Sequence, residues 1–354
     1  MKIRWRKVGG DVNSPVRSPG KAIALLSGGL DSTLAAAVIK RLGIDVIGLH
    51  VGILFGTGVE RAQALEGAAA QAGIPLRIVD RAEEHLEVVR HPRHGRGSGM
   101  NPCIDCRIFM LRVAREVMEQ EGARFVITGE VLGQRPMSQN PQSLSLEAEE
   151  SGLGDRLLRP LSAALLPETL PAREGWIPRE GLLALSGRGR EGQMKLARTL
   201  GIVDYPQPAG GCLLVEKVYS ARLRDAFAHL GEDAMGKKEF TLLRHGRQFR
   251  LSPQVKVIVG RNETENAVLD QHSATRIRIE PTETVGPVAL VEGDPSQEEL
   301  LLVSSLVGRY CDREDNGPVK LAILREGTES ILCVFPLRVE DPRIARWRIG
   351  EASG

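Results

Sequence analysis

The segment SGGLDS, residues 27–32, combines residue types that can bind a phosphate group. The amides of Gly28 and Gly29 can surround an anion, and the hydroxyls of Ser27 and Ser32 can add hydrogen bonds. The segment lacks the lysine of a Walker A loop and the glycine spacing of a dinucleotide-binding loop. Asp31 would repel a polyphosphate unless it binds Mg²⁺. These features favour binding the pyrophosphate part of ATP over transferring its terminal phosphate.

Three cysteines form a second group with chemical potential. Cys103 and Cys106 lie in NPCIDCR, residues 101–107, and Cys212 follows in PAGGCLL, residues 208–214. A chain with five cysteines and no secretory leader is not expected to build a disulfide framework. The two remaining cysteines, Cys311 and Cys333, stand in apolar contexts and are predicted to be core residues.

The cysteine spacing leaves three chemistries open. Cys103, Cys106 and Cys212 could ligate three irons of a [4Fe–4S] cluster and leave the fourth iron open. Alternatively, Cys103 or Cys212 carries a persulfide and another cysteine resolves the resulting disulfide. That route needs a thiolate of lowered pKa, and we expect His91, His94 and Arg107 to lower it. Zinc, with a histidine as fourth ligand, is the third option.

The surrounding elements predict an α/β fold with a doubly wound parallel sheet. Apolar strands alternate with amphipathic helices long enough to cross over the sheet. Ligands bind such sheets at the carboxyl ends of strands, and SGGLDS follows the first strand. The predicted strands are 21–26, 44–51, 75–80 and 124–130, and the predicted helices are 33–42, 59–72 and 108–121.

Composition changes along the chain divide it into four parts. A Pro-punctuated, mostly helical extension follows the sheet, and short strands with one helix form a small α+β module after it. The predicted parts are a loose arm (1–20), an ATP-binding domain (21–160), a helical extension with the sulfur site (161–235) and the α+β domain (236–345).

Charge and hydropathy restrict the partners and the compartment. The formal net charge is only +2, so the whole chain does not indicate a polyanion partner. Two local basic clusters could still hold a phosphate backbone, although such clusters are also found in solvated loops. Without an apolar run of membrane length or a leader, we expect a cytoplasmic protein with no membrane partner. The clusters are His85, Arg90, His91, Arg93, His94 and Arg96, and Arg244, His245, Arg247 and Arg250.

The loop resembles the signature of the PP-loop ATP pyrophosphatases, which have an adenine nucleotide alpha hydrolase-like fold. These enzymes adenylate a substrate oxygen and release pyrophosphate. The resemblance implies that the loop holds pyrophosphate and Mg²⁺, and that the end of the second strand, around His50, meets the adenosine. The loop residues concerned are Ser27, Gly28, Gly29, Asp31 and Ser32.

Further segments resemble the tRNA thiouridylases and related thiolation enzymes within that superfamily. They are NPCIDCR, PAGGCLL, TGEVLGQRPMSQ (128–139) and RPLSAALLPET (159–169). The tail segment 245–266 is similar to the RNA-binding region of NFACT-type proteins. Together these resemblances imply a tRNA sulfurtransferase that uses ATP and Mg²⁺, with tRNA and a sulfide or persulfide donor as partners. Gln134, Arg135 and Ser138 would line its site.

The implied reaction adenylates a uridine carbonyl oxygen, after which sulfur displaces AMP. Catalytic roles fall to Cys103, Cys212 and Asp31. Two alternatives remain: a PP-loop enzyme that adenylates a small molecule without RNA, and a non-catalytic RNA-binding factor that keeps an ATP fold. The sequence predicts neither the modified base atom nor the oligomeric state.

Overall fold

A computed structural model describes residues 20–55, 59–206, 212–313 and 317–350. The predicted arm before residue 20 and the glycine pair before Cys212 lie outside the described residues. The described chain forms two units. Unit 1 comprises 20–97 and 101–212, and unit 2 comprises 98–100 and 213–350.

Unit 1 is built on a five-stranded sheet in the order β3-β2-β1-β4-β5, in which every pair is parallel. This confirms the predicted doubly wound fold. The strands are β1 (Lys21–Leu25), β2 (Asp45–Gly52), β3 (Leu76–Asp80), β4 (Phe125–Ile127) and β5 (Leu157–Leu158). The helices are α1 (Leu30–Arg41), α2 (Val59–Ala72), α3 (Ala82–Arg90), α4 (Cys103–Gln120), α5 (Pro141–Glu150), α6 (Leu170–Arg173) and α7 (Glu191–Leu200).

The strand order locates a ligand crevice. β1 is flanked by β2 on one side and by β4 on the other, so the direction of the crossovers reverses between β1 and β4. Ligands of open α/β sheets bind at such a switch point, outside the carboxyl ends of the strands. The apolar run of β1 is buried because helices cover both faces of the sheet, with α1 and α2 on one face and α4 on the other.

Unit 2 contains a six-stranded antiparallel sheet in the order β11-β10-β8-β9-β7-β6. The predicted α+β module is thereby confirmed, although the sequence did not predict a helix over 263–270. The helices are α8 (Lys217–Leu230), α9 (Lys237–Leu242), α10 (Glu263–Asp270), α11 (Gln297–Gly308) and α12 (Pro342–Trp347). The strands are β6 (Arg247–Arg250), β7 (Lys256–Val259), β8 (Ile277–Pro281), β9 (Ala289–Glu292), β10 (Val319–Arg325) and β11 (Thr328–Val334).

The two cysteines of unit 2 differ in their burial. Cys311 is buried in the core, as predicted. The same prediction for Cys333 is wrong, because this residue is exposed on β11 at the edge of the sheet. Within the described ranges, no helix combines the length and apolar character that a membrane span requires.

Candidate active site

The SGGLDS loop joins β1 to α1 and folds around its own hydroxyls. Gly28 has a φ of +78°, in the left-handed region that favours glycine. Ser32 Oγ donates a hydrogen bond to the Gly29 carbonyl oxygen (2.9 Å) and accepts one from the Ser27 amide (3.2 Å). Since α1 begins at Leu30, the amides of its first turn lie at the loop. A helix start of this kind favours anions.

Asp31 presents a buried oxygen at the start of α1. Gln134 Nε2 donates to Asp31 Oδ2 (3.1 Å), and Arg190 Nη2 lies 3.8 Å from Oδ1. Oδ1 itself is buried and accepts no hydrogen bond from the described residues. A hard carboxylate oxygen beside a phosphate-binding loop is a ligand that Mg²⁺ accepts, so the donor set fits the expected Mg²⁺ and pyrophosphate. Arg190 was not predicted, since nothing in the sequence near α7 connects it to the loop.

The other predicted nucleotide residues lie at different distances from the loop. His50 Nδ1 donates to the carbonyl oxygen of Leu26 (3.0 Å), so the ring lies beside the entry to the loop. Arg135 is exposed, and its carbonyl oxygen accepts a hydrogen bond from the amide of Gln139. Ser138 is half-buried. The nucleotide roles of these residues stay predictions.

Gly129, two residues after β4, packs directly against the start of α1. A Cβ at this position would lie 2.5 Å from the carbonyl carbon of Asp31 and would also meet the amide nitrogen of Ser32. Both neighbours are backbone atoms, so only glycine fits without moving the nucleotide loop. Sequence reasoning did not single this residue out, although it stands in the TGE segment.

The cysteine pair occupies the first turn of α4, which begins five residues before the predicted helix 108–121. Cys103 and Cys106 are three residues apart and therefore share a helix face. Asn101 Nδ2 donates to Cys103 Sγ (3.0 Å), and His85 Nε2 lies 3.0 Å from Cys106 Sγ. The sequence analysis missed both neighbours. His85 had been assigned to a basic cluster instead.

His85 is a buried, neutral side chain. Its ring is fully buried and packs edge-on against Phe109, with 5.4 Å between the ring centroids. Burial lowers the pKa of His85 to about 4. The imidazole is therefore uncharged near pH 7 and does not supply a positive charge to the sulfur.

The pKa of Cys106 moves opposite to the expected direction. Burial raises it well above its usual range, and the negative charges of Cys212, Cys103 and Asp105 add to that effect. Arg107 opposes the rise without reversing it. The expectation of a lowered pKa is therefore wrong for Cys106, because desolvation outweighs the nearby positive charge.

The two histidines expected beside the cysteines both lie near carboxylates. His91 Nε2 lies 4.0 Å from a carboxylate oxygen of Glu87, and His94 Nε2 lies 3.1 Å from one of Glu150. His94 thus pairs with Glu150 and not with a sulfur, whereas a role for His91 beside the sulfurs stays a prediction.

The three predicted ligand cysteines share one neighbourhood. The charges of Cys212 and Cys103 both act on Cys106, and Cys212 is exposed. Over the described ranges, no three His, Cys, Asp or Glu side chains stand close enough to hold a single metal ion. A [4Fe–4S] cluster spreads its ligands around a larger body and takes thiolates as donors. Three cysteines therefore fit the chemistry of such a cluster.

A buried network of charges adjoins the cysteine pair. Glu130 Oε2 accepts hydrogen bonds from Arg159 Nε (2.9 Å) and Thr128 Oγ1 (2.9 Å), and Glu130 Oε1 forms an ion pair with Arg107, whose Nε lies 3.2 Å away. Arg159 Nη2 also lies 3.5 Å from Glu147 Oε2. The network links α4, α5 and the ends of β4 and β5. Sequence reasoning did not foresee it, because its members are brought together only by the fold.

The two carboxyls of the network have opposite pKa shifts. Burial alone would raise the pKa of Glu130, but the charges of Arg107 and Arg159 outweigh burial and hold it at about 2. Burial raises the pKa of Glu147 to about 9, and the negative charge of Glu130 adds to this rise. Near pH 7 the network thus contains an ionised Glu130 and a protonated Glu147.

The first basic cluster is held largely by local hydrogen bonds. The carboxylate of Asp105, on α4, accepts from the backbone amides of Arg93 (3.1 Å) and His94 (3.0 Å). Arg96 Nη2 donates to two carbonyl oxygens near the end of α3. The Arg93 side chain is exposed and remains a candidate for contact with phosphate.

The second basic cluster is partly committed to contacts within unit 2. Arg250 pairs with both carboxylate oxygens of Asp225 (3.1 and 2.7 Å). Arg247 and Arg309 both stack on the ring of Tyr310, at 4.6 and 5.5 Å from its centroid. Nε and Nη1 of Arg309 are buried without a hydrogen-bond acceptor among the described residues. Arg309 therefore extends the predicted cluster.

Comparisons with known proteins agree with both predicted resemblances. Residues 17–164 match the family model described as thiamine biosynthesis protein (ThiI), and residues 246–348 match that of the NFACT protein RNA-binding domain. The resemblance to PP-loop tRNA-thiolating enzymes, followed by an NFACT-type domain, is therefore confirmed for these segments.

Two curated relatives are named as probable tRNA sulfurtransferases. The chain is 30% identical over 164 residues to a probable tRNA sulfurtransferase of Methanothermobacter thermautotrophicus, covering 45% of this chain and 41% of the relative. It is 34% identical over 122 residues to a probable tRNA sulfurtransferase of Thermus thermophilus, covering 32% and 28%. The chain thus spans less than half the length of these relatives.

One solved structure among those with similarity is a 4-thiouridine synthetase–RNA complex with bound ATP. It shares 21% identity and a TM-score of 0.34, with 53% of each chain covered.

Proposed function

We propose that this protein is an ATP-dependent tRNA sulfurtransferase, which adenylates a uridine carbonyl oxygen and then inserts sulfur. The observation that carries the proposal is that unit 1 connects the nucleotide loop to the cysteine pair. The nucleotide loop around Asp31 and the cysteine turn of α4 are connected through Gly129 and Glu130. A lysine-free phosphate loop beside cysteine sulfurs suits activation by ATP followed by attack of sulfur. The match of residues 17–164 to the ThiI family model and the similarity of the chain to a probable tRNA sulfurtransferase support this reading.

In the first half-reaction, the uridine oxygen attacks the α-phosphate of ATP and pyrophosphate leaves. The loop amides and the hydroxyls of Ser27 and Ser32 would hold the pyrophosphate, and Asp31 would hold Mg²⁺, which offsets negative charge on the phosphates. Gln134 orients Asp31 through its hydrogen bond. His50, at the end of β2, would face the adenosine.

In the second half-reaction, sulfur bonds to the activated carbon and AMP leaves. Cys103, Cys106 and Cys212 would hold a [4Fe–4S] cluster, which supplies an open iron where sulfide can bind. In the persulfide alternative, the outer sulfur of a cysteine persulfide attacks the carbon and AMP leaves. A second cysteine then cleaves the S–S bond, and a thiol reductant restores the pair. The presence of three cysteines, where two would suffice for a persulfide, supports the cluster.

The tRNA partner is supported by unit 2. Residues 246–348 match an RNA-binding domain, and the stacked Arg247 and Arg309 add positive charge there. The target base must leave its stack, at a cost of a few kcal/mol, to reach the site. We place the reaction in the cytoplasm, with a sulfide or persulfide carrier as donor. The proposed domains are 21–160 for ATP, 161–235 for the sulfur extension and 236–345 for RNA.

Analysis of tRNA nucleosides from a deletion strain tests the activity. We expect mass spectrometry to show that one thiolated uridine disappears. The intact gene and a Cys333→Ala variant should restore it, whereas Asp31→Ala and Cys212→Ala should not. An unchanged set of thiolated nucleosides would refute the proposal. Full complementation by Asp31→Ala would instead indicate a non-catalytic RNA-binding factor.

Anaerobic purification tests the cofactor separately. A cluster predicts brown protein with about four irons per chain, lost in Cys106→Ala and Cys212→Ala and kept in Cys333→Ala. Colourless, active protein without metal would indicate the persulfide route. Stoichiometric zinc would indicate the third option.

The name of the matching family, thiamine biosynthesis protein, favours one other candidate: sulfur transfer to a small molecule. That function requires no RNA. A gel shift with tRNA at increasing salt distinguishes the two, because phosphate contacts make binding salt-dependent. Salt-independent or absent tRNA binding would support the small-molecule enzyme.

A further inference from the structure

We propose that Glu130 is a positioning residue that holds the cysteine turn of α4 in register with the nucleotide loop. The inference rests on the proposed function, because it assigns the two sites to successive steps of one reaction. It concerns a side chain that touches neither site directly and acts through Arg107.

The nucleotide side of this connection is a backbone contact. A side chain at position 129 would clash with the backbone of Asp31 and Ser32, so the chain after β4 packs directly against the first turn of α1. Thr128, on the other side of Gly129, is bonded through its amide to the Leu158 carbonyl oxygen on the neighbouring strand (3.0 Å). The position of residue 130 is therefore fixed relative to the loop.

The sulfur side of the connection is an ion pair. Arg107 directly follows Cys106, and its Nε lies 3.2 Å from Glu130 Oε1. Glu130 is 2% exposed, and Arg159 engages its second oxygen, so its carboxylate cannot move independently. The residue that touches the nucleotide loop, Gly129, and the residue that holds the cysteine turn, Glu130, are adjacent in the chain.

The connection matters because the sulfur must attack the carbon whose oxygen was adenylated in the first half-reaction. After adenylation, the sulfur must add to that trigonal carbon from one face of the ring, after which the C–O bond breaks and AMP leaves. A displacement of about 1 Å in such a geometry can cost on the order of a hundredfold in rate. Loosening Arg107 from Glu130 should therefore impair sulfur insertion and leave adenylation largely intact.

Arg107→Gln is the most direct test, because it leaves the Glu130–Arg159 pair in place. Arg112→Gln is the matched control. Arg112 lies on the same helix, and among the described residues its guanidinium donates only to the Glu150 carbonyl oxygen. Arg107→Lys, which keeps the charge, should restore part of the function. Glu130→Gln serves as a second variant if it folds.

The first measurement is hydrogen–deuterium exchange of the full chain, which needs no substrate. We expect amides of the cysteine turn, residues 103–110, to exchange at least tenfold faster in Arg107→Gln. Those of α1 should be unchanged, and Arg112→Gln should match the wild type. Equal exchange in all three proteins would overturn the positioning role, whatever the reaction catalysed.

The second measurement compares the two half-reactions on tRNA. In Arg107→Gln, the KM for ATP and the release of pyrophosphate should stay within about twofold, while thiouridine formation falls at least tenfold. A parallel loss of both products would indicate a merely structural role and refute the inference. Wild-type protein that forms no thiouridine, yet shows the expected exchange difference, would refute the proposed function alone.

Discussion

The protonated Glu147 predicts a stability that decreases as the pH rises. Its side chain is fully buried, and its pKa of about 9 lies far above the ordinary value of 4.5. Between these values the folded protein keeps a proton that the unfolded chain has released. The contribution of Glu147 to the free energy of unfolding must therefore fall with rising pH across this interval. Glu147→Gln, which mimics the neutral acid, should remove this fall.

The size of the effect follows from the width of the interval. Each pH unit within it costs about 1.4 kcal/mol, so the loss from pH 5 to pH 8 is on the order of 4 kcal/mol. The pKa of Glu130 is lowered, so its stabilising contribution is lost only as the pH falls from about 4.5 towards about 2. Measurements between pH 5 and pH 8 therefore exclude Glu130, and comparing the variant with the wild type cancels the opposite contribution of His85, whose pKa is lowered to about 4.

Urea unfolding at pH 5, 6.5 and 8 measures the difference in free energy of unfolding. Trp176 reports on unit 1, where it packs near Phe125, if Trp5 and Trp347 are replaced by Phe. The stability of Glu147→Gln relative to the wild type should increase by about 4 kcal/mol from pH 5 to pH 8. Glu149→Gln, an exposed control on the same helix, should show no trend. A pH-independent difference for Glu147→Gln would refute the assigned protonation state.

Three further predictions concern the nucleotide, sulfur and RNA sites. Gly129→Ala should weaken binding of a non-hydrolysable ATP analogue at least tenfold, because the added Cβ meets the backbone of Asp31. Calorimetry measures the affinity. Gly67→Ala, whose added Cβ meets no atom within 4 Å, should leave it unchanged. His85→Phe removes the nitrogen beside Cys106 Sγ, so the affinity for iron should fall by roughly tenfold or more. Iron analysis measures this, with His229→Phe, an exposed histidine of unit 2, as control. Arg309→Ala should lower the slope of log affinity for tRNA against log salt by about 1 in filter binding, if its guanidinium meets a phosphate. Arg325→Ala, whose guanidinium already pairs with Asp294, should keep the slope.

The sequence predicted those features of the fold whose signal lies within one short segment of the chain. The alternation of strands and helices predicted the parallel sheet, and the SGGLDS segment predicted the turn into α1. Apolar spacing over 108–121 predicted helix α4, although the helix begins earlier, at Cys103. Strand β4 ended three residues earlier than predicted, at Ile127, because Thr128–Glu130 leave the strand to contact the nucleotide loop and α4.

What the sequence could not predict depends on burial and on distant parts of the chain. Proximity along the chain suggested that His94 would serve the cysteines, whereas the fold brings His85 to Cys106 and turns His94 towards Glu150. The direction of the pKa shift at Cys106 was missed because desolvation has no local signature. Cys333 has apolar neighbours in sequence, yet the edge position of β11 exposes it.

The link between the two sites consists of buried charges, and these could serve either to position the sites or to stabilise the fold. Burying Arg159 and Glu130 is costly, and well-packed apolar residues would often serve stability equally well or better. Apolar contacts, however, tolerate sliding, whereas a guanidinium paired with a buried carboxylate, as Arg107 is with Glu130, keeps the two groups at close distance. A helix that must deliver sulfur to an activated carbon needs that constraint. The charges around Glu130 are thus better explained by geometry than by the free energy of unfolding, which is why exchange at the cysteine turn is the decisive measurement.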